Sequence, residues 1–156
     1  MGLGYDVHRF DPERPLILGG VEIAFHHGLA GHSDADVLSH ALGDALLGAA
    51  HLGDLGRHFP DSDQRFKGIS SLRLLEKIVN LIHQEGFKIG NVDVTVVAQE
   101  PKLVPHFQKM QSALSAVLHI SVDQISLKAT TTEGLGFAGR QEGMAAYAVV
   151  LLFKEE

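Results

Sequence analysis

The sequence contains no cysteine and no tryptophan in 156 residues. Without cysteine there is no disulfide scaffold, no thiolate metal centre and no cysteine nucleophile. No apolar run approaches the roughly 20 residues that a membrane-spanning helix needs. The first ten residues hold Asp6, His8 and Arg9, with neither an apolar signal core nor an Arg/Ser-rich transit segment. Basic residues are the minority, 13 Lys and Arg against 19 Asp and Glu, for a net charge of −6. An acidic chain lacks the electrostatic footprint of a nucleic-acid or anionic-membrane binder. The expectation is therefore a cytoplasmic protein that partners neither nucleic acid nor membrane. Internal repeats, low-complexity tracts and Pro/Gly/Ser linkers are missing too. Residues 1–156 read as a single domain, long enough to bury a core of its own.

Histidine is what the chain has in plenty. There are ten, against two tyrosines, and seven of the ten fall between His8 and His58. Histidine is the commonest metal ligand and carries protons near neutral pH, which makes the first third of the chain the place to seek chemistry.

The apolar pattern predicts a strand over 2–10 and a hairpin from Leu16 to Phe25 that turns at Gly19-Gly20. A helix is predicted to begin near Ser33, where Ser33 and Asp36 resemble a capping box, and to bury Val37, Leu38, Ala41, Leu42, Ala45 and Leu46. Residues 57–67 read as a loop. A second helix runs from Ser71 to Glu85 on a Leu75, Ile78, Val79, Ile82 stripe, and a third carries Phe107, Met110, Leu114, Val117 and Leu118 on one face. Alternation marks strands at 92–96 and 125–130. The last strand, Met144 to Phe153, is apolar on both faces. The order predicts an α+β domain with a mixed sheet covered by helices on one face. The other face of that last strand needs a second cover, for which a neighbouring subunit is the natural candidate.

Asp6 and His8 are two apart in a strand, so their side chains project to the same face. Asp36, His40 and Asp44 share one face of the first helix by their spacing of four. Asp6, His8 and His40 together make a carboxylate and two imidazoles, a zinc ligand set with room for an open fourth position. Asp36 or Asp44 is then placed to orient a ligand imidazole. The plain alternatives are a solvated strand edge, with Asp6 hydrogen-bonded to His8, and an ordinary polar helix face. His32 and Ser33 fall at the predicted helix start, where free N–H groups attract phosphate; Ser33 also reads as a simple cap. Thr130, Thr131 and Thr132 followed by Glu133 at a strand end suit a phosphate and a hard divalent cation, or else just a β-branched strand. Gly134 to Gly139 matches G-x-G-x-x-G, but too little chain follows for a βαβ unit, so it reads as a flexible turn leading to Arg140. From residues alone the reading is a metal-dependent enzyme acting on a phosphorylated small molecule.

Taken together, Gly4-Tyr5-Asp6-Val7-His8, the run from His32-Ser33-Asp34 to His40-Ala41-Leu42, Gly53-Asp54-Leu55-Gly56, Phe59-Pro60-Asp61, Gly90-Asn91-Val92-Asp93, Ala98-Gln99-Glu100-Pro101-Lys102 and Thr130 to Arg140 resemble one family. It is the 2-C-methyl-D-erythritol 2,4-cyclodiphosphate synthase family of the non-mevalonate isoprenoid pathway, and the resemblance spans almost the whole chain. It implies a lyase that closes 4-diphosphocytidyl-2-C-methyl-D-erythritol 2-phosphate onto itself with loss of CMP. It implies Zn²⁺ on Asp6, His8 and His40, and Mg²⁺ or Mn²⁺ at Glu133, bridging the diphosphate. His32 and Thr131 are implied to stabilise the transition state, with Asp6, His8 and Ser33 also against substrate. The erythritol part falls on Asp54, Leu55, Gly56, Phe59, Pro60, Asp61, Ser62 and Asp63. The cytidine pocket falls on Ala98, Gln99, Glu100, Pro101, Lys102, Leu103 and Val104 with Thr130, Thr131, Thr132 and Glu133; Phe137 and Arg140 also meet ligand. A homotrimer with active sites between subunits is implied, its central channel a place for an isoprenoid diphosphate with its head near Arg140. No cytidylyltransferase segment is present, so the unfused form is expected. Two rivals share the same residues: a zinc-dependent phosphohydrolase, and a non-catalytic binder of isoprenoid diphosphates or nucleotides.

Overall fold

The structure is a computed structural model and describes residues 1–154. Its strands are β1 (Gly2–Asp11), β2 (Leu16–Leu18), β3 (Val21–Ile23), β4 (Gly28–Leu29), β5 (Phe87–Val97), β6 (Ile125–Thr130) and β7 (Gly143–Lys154). Its α-helices are α1 (Val37–Ala49), α2 (Leu55–His58), α3 (Ser71–Gln84), α4 (Phe107–Leu118) and α5 (Gly136–Gly139). Five strands form one mixed sheet in the order β4-β1-β7-β5-β6, and β2 pairs with β3 in a separate hairpin. The pairs β1/β7 and β5/β7 are antiparallel, and β5/β6 is parallel. This is the expected α+β domain. No helix among the described residues is long and apolar enough to cross a membrane.

The helices cover one face. Val92, Val94 and Val96 of β5 and Met144, Ala146, Ala148 and Val150 of β7 point into that layer and are buried against Leu38, Leu42, Leu46, Ile78 and Leu114. Helix α1 lies directly on β1. A Cβ on Gly2 would overlap the Ala45 carbonyl, and one on Gly4 the Ala41 carbonyl. The glycines are what let the helix backbone approach the strand so closely, and the approach sets His40 opposite Asp6 and His8. The other face is bare, as the two-sided β7 implied. Leu3, Tyr5 and Val7 of β1 and Tyr147, Val149, Leu151 and Phe153 of β7 are exposed there. Leu3 pairs with Val149 and Tyr5 with Tyr147, the two tyrosine rings 4.9 Å apart.

Helix α1 begins at Val37, later than the Ser33/Asp36 pattern predicted, because Asp36 itself is the N-cap. Its carboxylate is fully buried and takes four donors: the Ser39 N–H at 3.0 Å and hydroxyl at 2.7 Å, and the Gly19 and Gly20 N–H groups at 3.0 and 2.8 Å. Burial pushes the Asp36 carboxyl up, and these donors pull it back. One side chain thus caps α1 and closes the β2–β3 turn. Asp36→Ala removes the cap and leaves the two glycine N–H groups buried without partners, a cost of about 3–5 kcal/mol. Thermal unfolding at fixed protein concentration should therefore fall by roughly 6–20 °C for a chain of this size; an unchanged midpoint would contradict this account.

Two segments are more ordered than the sequence suggested. The predicted loop 57–67 contains the end of α2 and a 3₁₀ turn at Gln64–Phe66, and the predicted flexible turn at Gly134–Gly139 contains α5. These helices have four residues or fewer, too short for periodicity to register.

Candidate metal centre and its cavity

Asp6 and His8 alternate with Gly4 along β1, on the face turned toward α1. His40 meets them from the first turns of α1. Asp6 Oδ2 lies 2.8 Å from His8 Nε2 and 3.1 Å from His40 Nδ1, and the two ring nitrogens are 3.1 Å apart. The other nitrogen of His8, Nδ1, lies 2.7 Å from the Ala30 carbonyl. A carbonyl only accepts, so His8 is protonated at Nδ1, and Nε2 is the nitrogen available to a metal.

Three ligand atoms thus converge on one point, half-buried at the floor of a cleft. A tetrahedral ion with bonds of about 2.0–2.2 Å sets its ligands about 3.4 Å apart, so a few tenths of an ångström of spreading admits it. The donor set of two imidazoles and one carboxylate fits a divalent metal. Electrostatics agree. Burial works against the charge on Asp6, yet the His40 and His8 rings beside it hold its carboxyl well below the usual range. Burial also works against a proton on His8, but the bond to Asp6 and its charge outweigh it and raise His8. A cation at the centre is favoured, and metal uptake competes with the His8 proton, weakening as pH falls through that raised value.

Of the flanking carboxylates, Asp44 lines the same cavity as His40, as helical spacing put it, whereas Asp36 does not. Asp36 faces the β2–β3 turn and Ser39. Asp44 accepts the Leu55 N–H at 2.7 Å and holds the start of α2; burial raises its carboxyl. Neither orients an imidazole, because each is already engaged by backbone N–H groups of a neighbouring segment. The groups on His40 Nε2 are Ser71 Oγ at 2.9 Å and Ser33 Oγ at 3.0 Å, with Asp34 behind Ser71. Ser33 is therefore not the helix cap. Sequence reasoning missed Ser71 and Asp34; they are 37 residues apart, and no local pattern joins them.

A cavity of about 610 Å³ opens above the centre, within the size range of small-molecule sites. Asp6, His8, Ser33 and His40 form its floor, and Phe59, Phe66 and Leu74 are among its apolar walls. His32, Leu55, Gly56, Pro60 and Asp61 also line it. His32 does not sit at a helix start, since α1 begins five residues later with Asp36 on its free N–H groups; its Nε2 is 3.3 Å from the Asp63 carbonyl. Asp54, Ser62 and Asp63 are outside the lining. Asp54 caps α2 through the Arg57 N–H, Ser62 is exposed, and the Asp63 carboxylate is turned to Arg65 at 2.6 Å.

The second set of predicted residues lies elsewhere. Gln99 Oε1 accepts the Thr132 N–H at 3.0 Å, and the Ala98 N–H bonds the Thr130 carbonyl at 3.0 Å, tying 98–104 to 130–133. Leu103 is buried in the core, while Glu100, Lys102, Val104, Thr130, Thr131, Glu133 and Phe137 are exposed and Pro101 is half-buried. The Glu133 backbone is left-handed, with φ of 55°, and its N–H bonds Thr131 Oγ1. Arg140 pairs with Glu142 at 3.0 Å. Asp6, Ala146, Val96 and Ala129 form one row across the sheet. The metal ligands on β1 and the loop after β6 are thus three strands, about 14 Å, apart. The cavity is lined by residues 6–74 alone.

The YgbB family model matches residues 1–153. The chain belongs to the YgbB family. A relative from Syntrophomonas wolfei, named 2-C-methyl-D-erythritol 2,4-cyclodiphosphate synthase, is 59% identical over 152 residues, 97% of each chain. The solved bifunctional IspDF from Campylobacter jejuni superimposes with a TM-score of 0.95 at 48% identity, over 99% of this chain and 42% of that one. IspF of Plasmodium falciparum, solved as a CDP complex, gives a TM-score of 0.87 at 35% identity, over 99% of this chain and 96% of that one. In the YgbB chain described here, the Asp6/His8/His40 cluster is the group of side chains able to hold a metal among the described residues.

Proposed function

We infer that the chain converts 4-diphosphocytidyl-2-C-methyl-D-erythritol 2-phosphate to 2-C-methyl-D-erythritol 2,4-cyclodiphosphate and CMP. An oxygen of the 2-phosphate bonds to the β-phosphorus, the bond from that phosphorus to the CMP oxygen breaks, and its electron pair leaves with CMP. The observation that carries this reading is the convergence of Asp6, His8 and His40 at the floor of a cavity, in a chain 59% identical to a synthase of that name. Nucleophile and electrophile are in one molecule, so the protein needs to fold the substrate back and offset phosphate charge, with no covalent intermediate.

Two imidazoles and a carboxylate suit Zn²⁺ better than Mg²⁺, which prefers all-oxygen surroundings. Bound there, such an ion draws charge from the phosphate oxygens. His32, on the cavity rim, donates to a phosphate oxygen; the Thr131 hydroxyl does so from the opposite side. Leu55, Gly56, Phe59, Pro60 and Asp61 enclose the methylerythritol. The 98–104 and 130–133 loops receive cytidine; that a cytidine diphosphate is a ligand at all is supported by the Plasmodium relative, solved as a CDP complex. Glu133 holds the second ion, Mg²⁺ or Mn²⁺, at the diphosphate.

The two halves of this site come from different copies of the chain. Support comes from the cavity's own lining, which ends at Leu74, and from the bare apolar face of β1 and β7. We place that face on the three-fold axis of a homotrimer, lining a channel that takes an isoprenoid diphosphate with its head near Arg140.

Incubation with the substrate, Zn²⁺ and Mg²⁺, followed by phosphorus NMR, should show CMP and the cyclic diphosphate appearing together; binding without CMP release would overturn the assignment. Glu133→Gln removes one exposed charge, so stability and zinc content should barely change. Turnover should fall roughly 100-fold. Unaltered turnover at low Mg²⁺ would remove Glu133 from this role.

A further inference from the structure

His40 Nε2 points away from the metal position, toward the Ser71 and Ser33 hydroxyls at 2.9 and 3.0 Å. Ser71 is buried in the first turn of α3. Its hydroxyl bonds Asp34 Oδ1, and its N–H donates to Asp34 Oδ2 at 3.0 Å. Ser70 makes no side-chain capping bond, so Asp34 serves α3 as a cap from across the fold. Asp34 is itself fixed by its N–H to the Ile69 carbonyl at 3.1 Å and by the Asp36 N–H on Oδ1 at 3.2 Å.

The direction of each bond follows from what the groups can donate. A carboxylate only accepts, and a serine hydroxyl has one proton. Ser71 gives that proton to Asp34, so its oxygen offers His40 a lone pair and nothing else. Nε2 must then carry a proton, which leaves Nδ1, beside Asp6 and His8, as the nitrogen available to a metal. Ser33 cannot make this choice, since its own proton is not committed to a carboxylate; its Oγ accepts the Ala35 N–H at 3.3 Å and its proton is free to turn either way. His8 has its tautomer set by the Ala30 carbonyl. For His40 the equivalent instruction comes only through Ser71.

We propose that Asp34 and Ser71 are positioning residues: a carboxylate–hydroxyl relay that locks His40 in its Nε2–H tautomer and thereby sets the affinity of the centre for a divalent metal. The same relay joins the start of α3 to the loop before α1, so the metal centre and the cavity wall carrying Leu74 share one anchor. The proposal rests on the metal reading of Asp6, His8 and His40.

The test uses Ser71→Ala and Ser71→Thr, both of which keep the backbone N–H that Asp34 caps. Zn²⁺ affinity is measured by chelator competition on the metal-free protein, with thermal unfolding of the same samples. Loss of a group that orients a metal-bound imidazole costs about 10- to 100-fold in affinity. Ser71→Ala should bind Zn²⁺ weaker by that factor, and Ser71→Thr should recover most of it. Nitrogen NMR of the metal-free parent should show His40 protonated at Nε2, with a mixture of tautomers in Ser71→Ala. Should Ser71→Ala fail to fold, Asp34→Ala takes its place in the affinity and NMR measurements, with the same expected losses. Equal Zn²⁺ affinity in parent and alanine variant, equal losses in the alanine and threonine variants, or an Nδ1-protonated parent would each overturn the relay. A parent binding Zn²⁺ no better than His40→Ala would instead overturn the metal reading beneath it.

Discussion

His40→Ala is expected to lose its zinc on dialysis and about a thousandfold in turnover while remaining folded. The variant removes one of three ligand atoms and leaves Asp6 and His8, 2.8 Å apart, as a two-point site. A catalytic metal supplies several kcal/mol of charge stabilisation in the transition state, and each 1.36 kcal/mol is tenfold in rate; about 4 kcal/mol gives the stated loss. The fold should survive. Helix α1 is held by the Asp36 cap and by Leu38, Leu42 and Leu46, which are fully buried, whereas His40 lies on the cavity floor. Metal analysis and turnover on the same dialysed sample check both halves. Full zinc occupancy in the variant would remove His40 from the ligand set.

Val149→Lys is expected to reduce a particle of three chains to single chains and to abolish turnover with it. Val149 is at the centre of the bare stripe, paired with Leu3 on one side and Asp93 on the other. Soluble monomers rarely expose a contiguous apolar patch of more than a few hundred Å², and Leu3, Tyr5, Val7, Tyr147, Val149, Leu151 and Phe153 all lie on this face. In a free chain the new ammonium reaches solvent and faces the Asp93 carboxylate. Around a three-fold axis three ammoniums meet, each costing several kcal/mol to desolvate. Native mass spectrometry at micromolar concentration reads the outcome. An active monomeric parent, or a trimeric and fully active variant, would contradict the shared site.

Much of this architecture is written in short-range patterns. The i, i+2 spacing of Asp6 and His8 put both on one face of β1, and His40 fell on the first helix as its period required. The two-sided apolarity of β7 announced its bare face. What the patterns could not convey is long-range pairing. Asp36 reads as part of a helix face until the Gly19-Gly20 turn is seen against it. Asp44 reads as a companion of His40 until the Leu55 N–H claims it. Ser71 reads as the start of a helix, and nothing near it in sequence points to His40. Gly4 carries no chemistry of its own, yet the contact of α1 with β1 depends on it. Spacing suggested a metal and a phosphorylated ligand, whereas the substrate came from the ordered set of motifs, because no local rule distinguishes one phosphate ester from another.

The central claim is that the substrate's own phosphate, and not water, attacks the β-phosphorus. Turnover in water enriched in ¹⁸O, read by the isotope shift in phosphorus NMR, tests it most directly. The account predicts CMP and a cyclic diphosphate that carry no solvent oxygen. A linear methylerythritol bisphosphate bearing solvent ¹⁸O at its 4-phosphate would contradict it, and would assign the Asp6, His8 and His40 centre to hydrolysis.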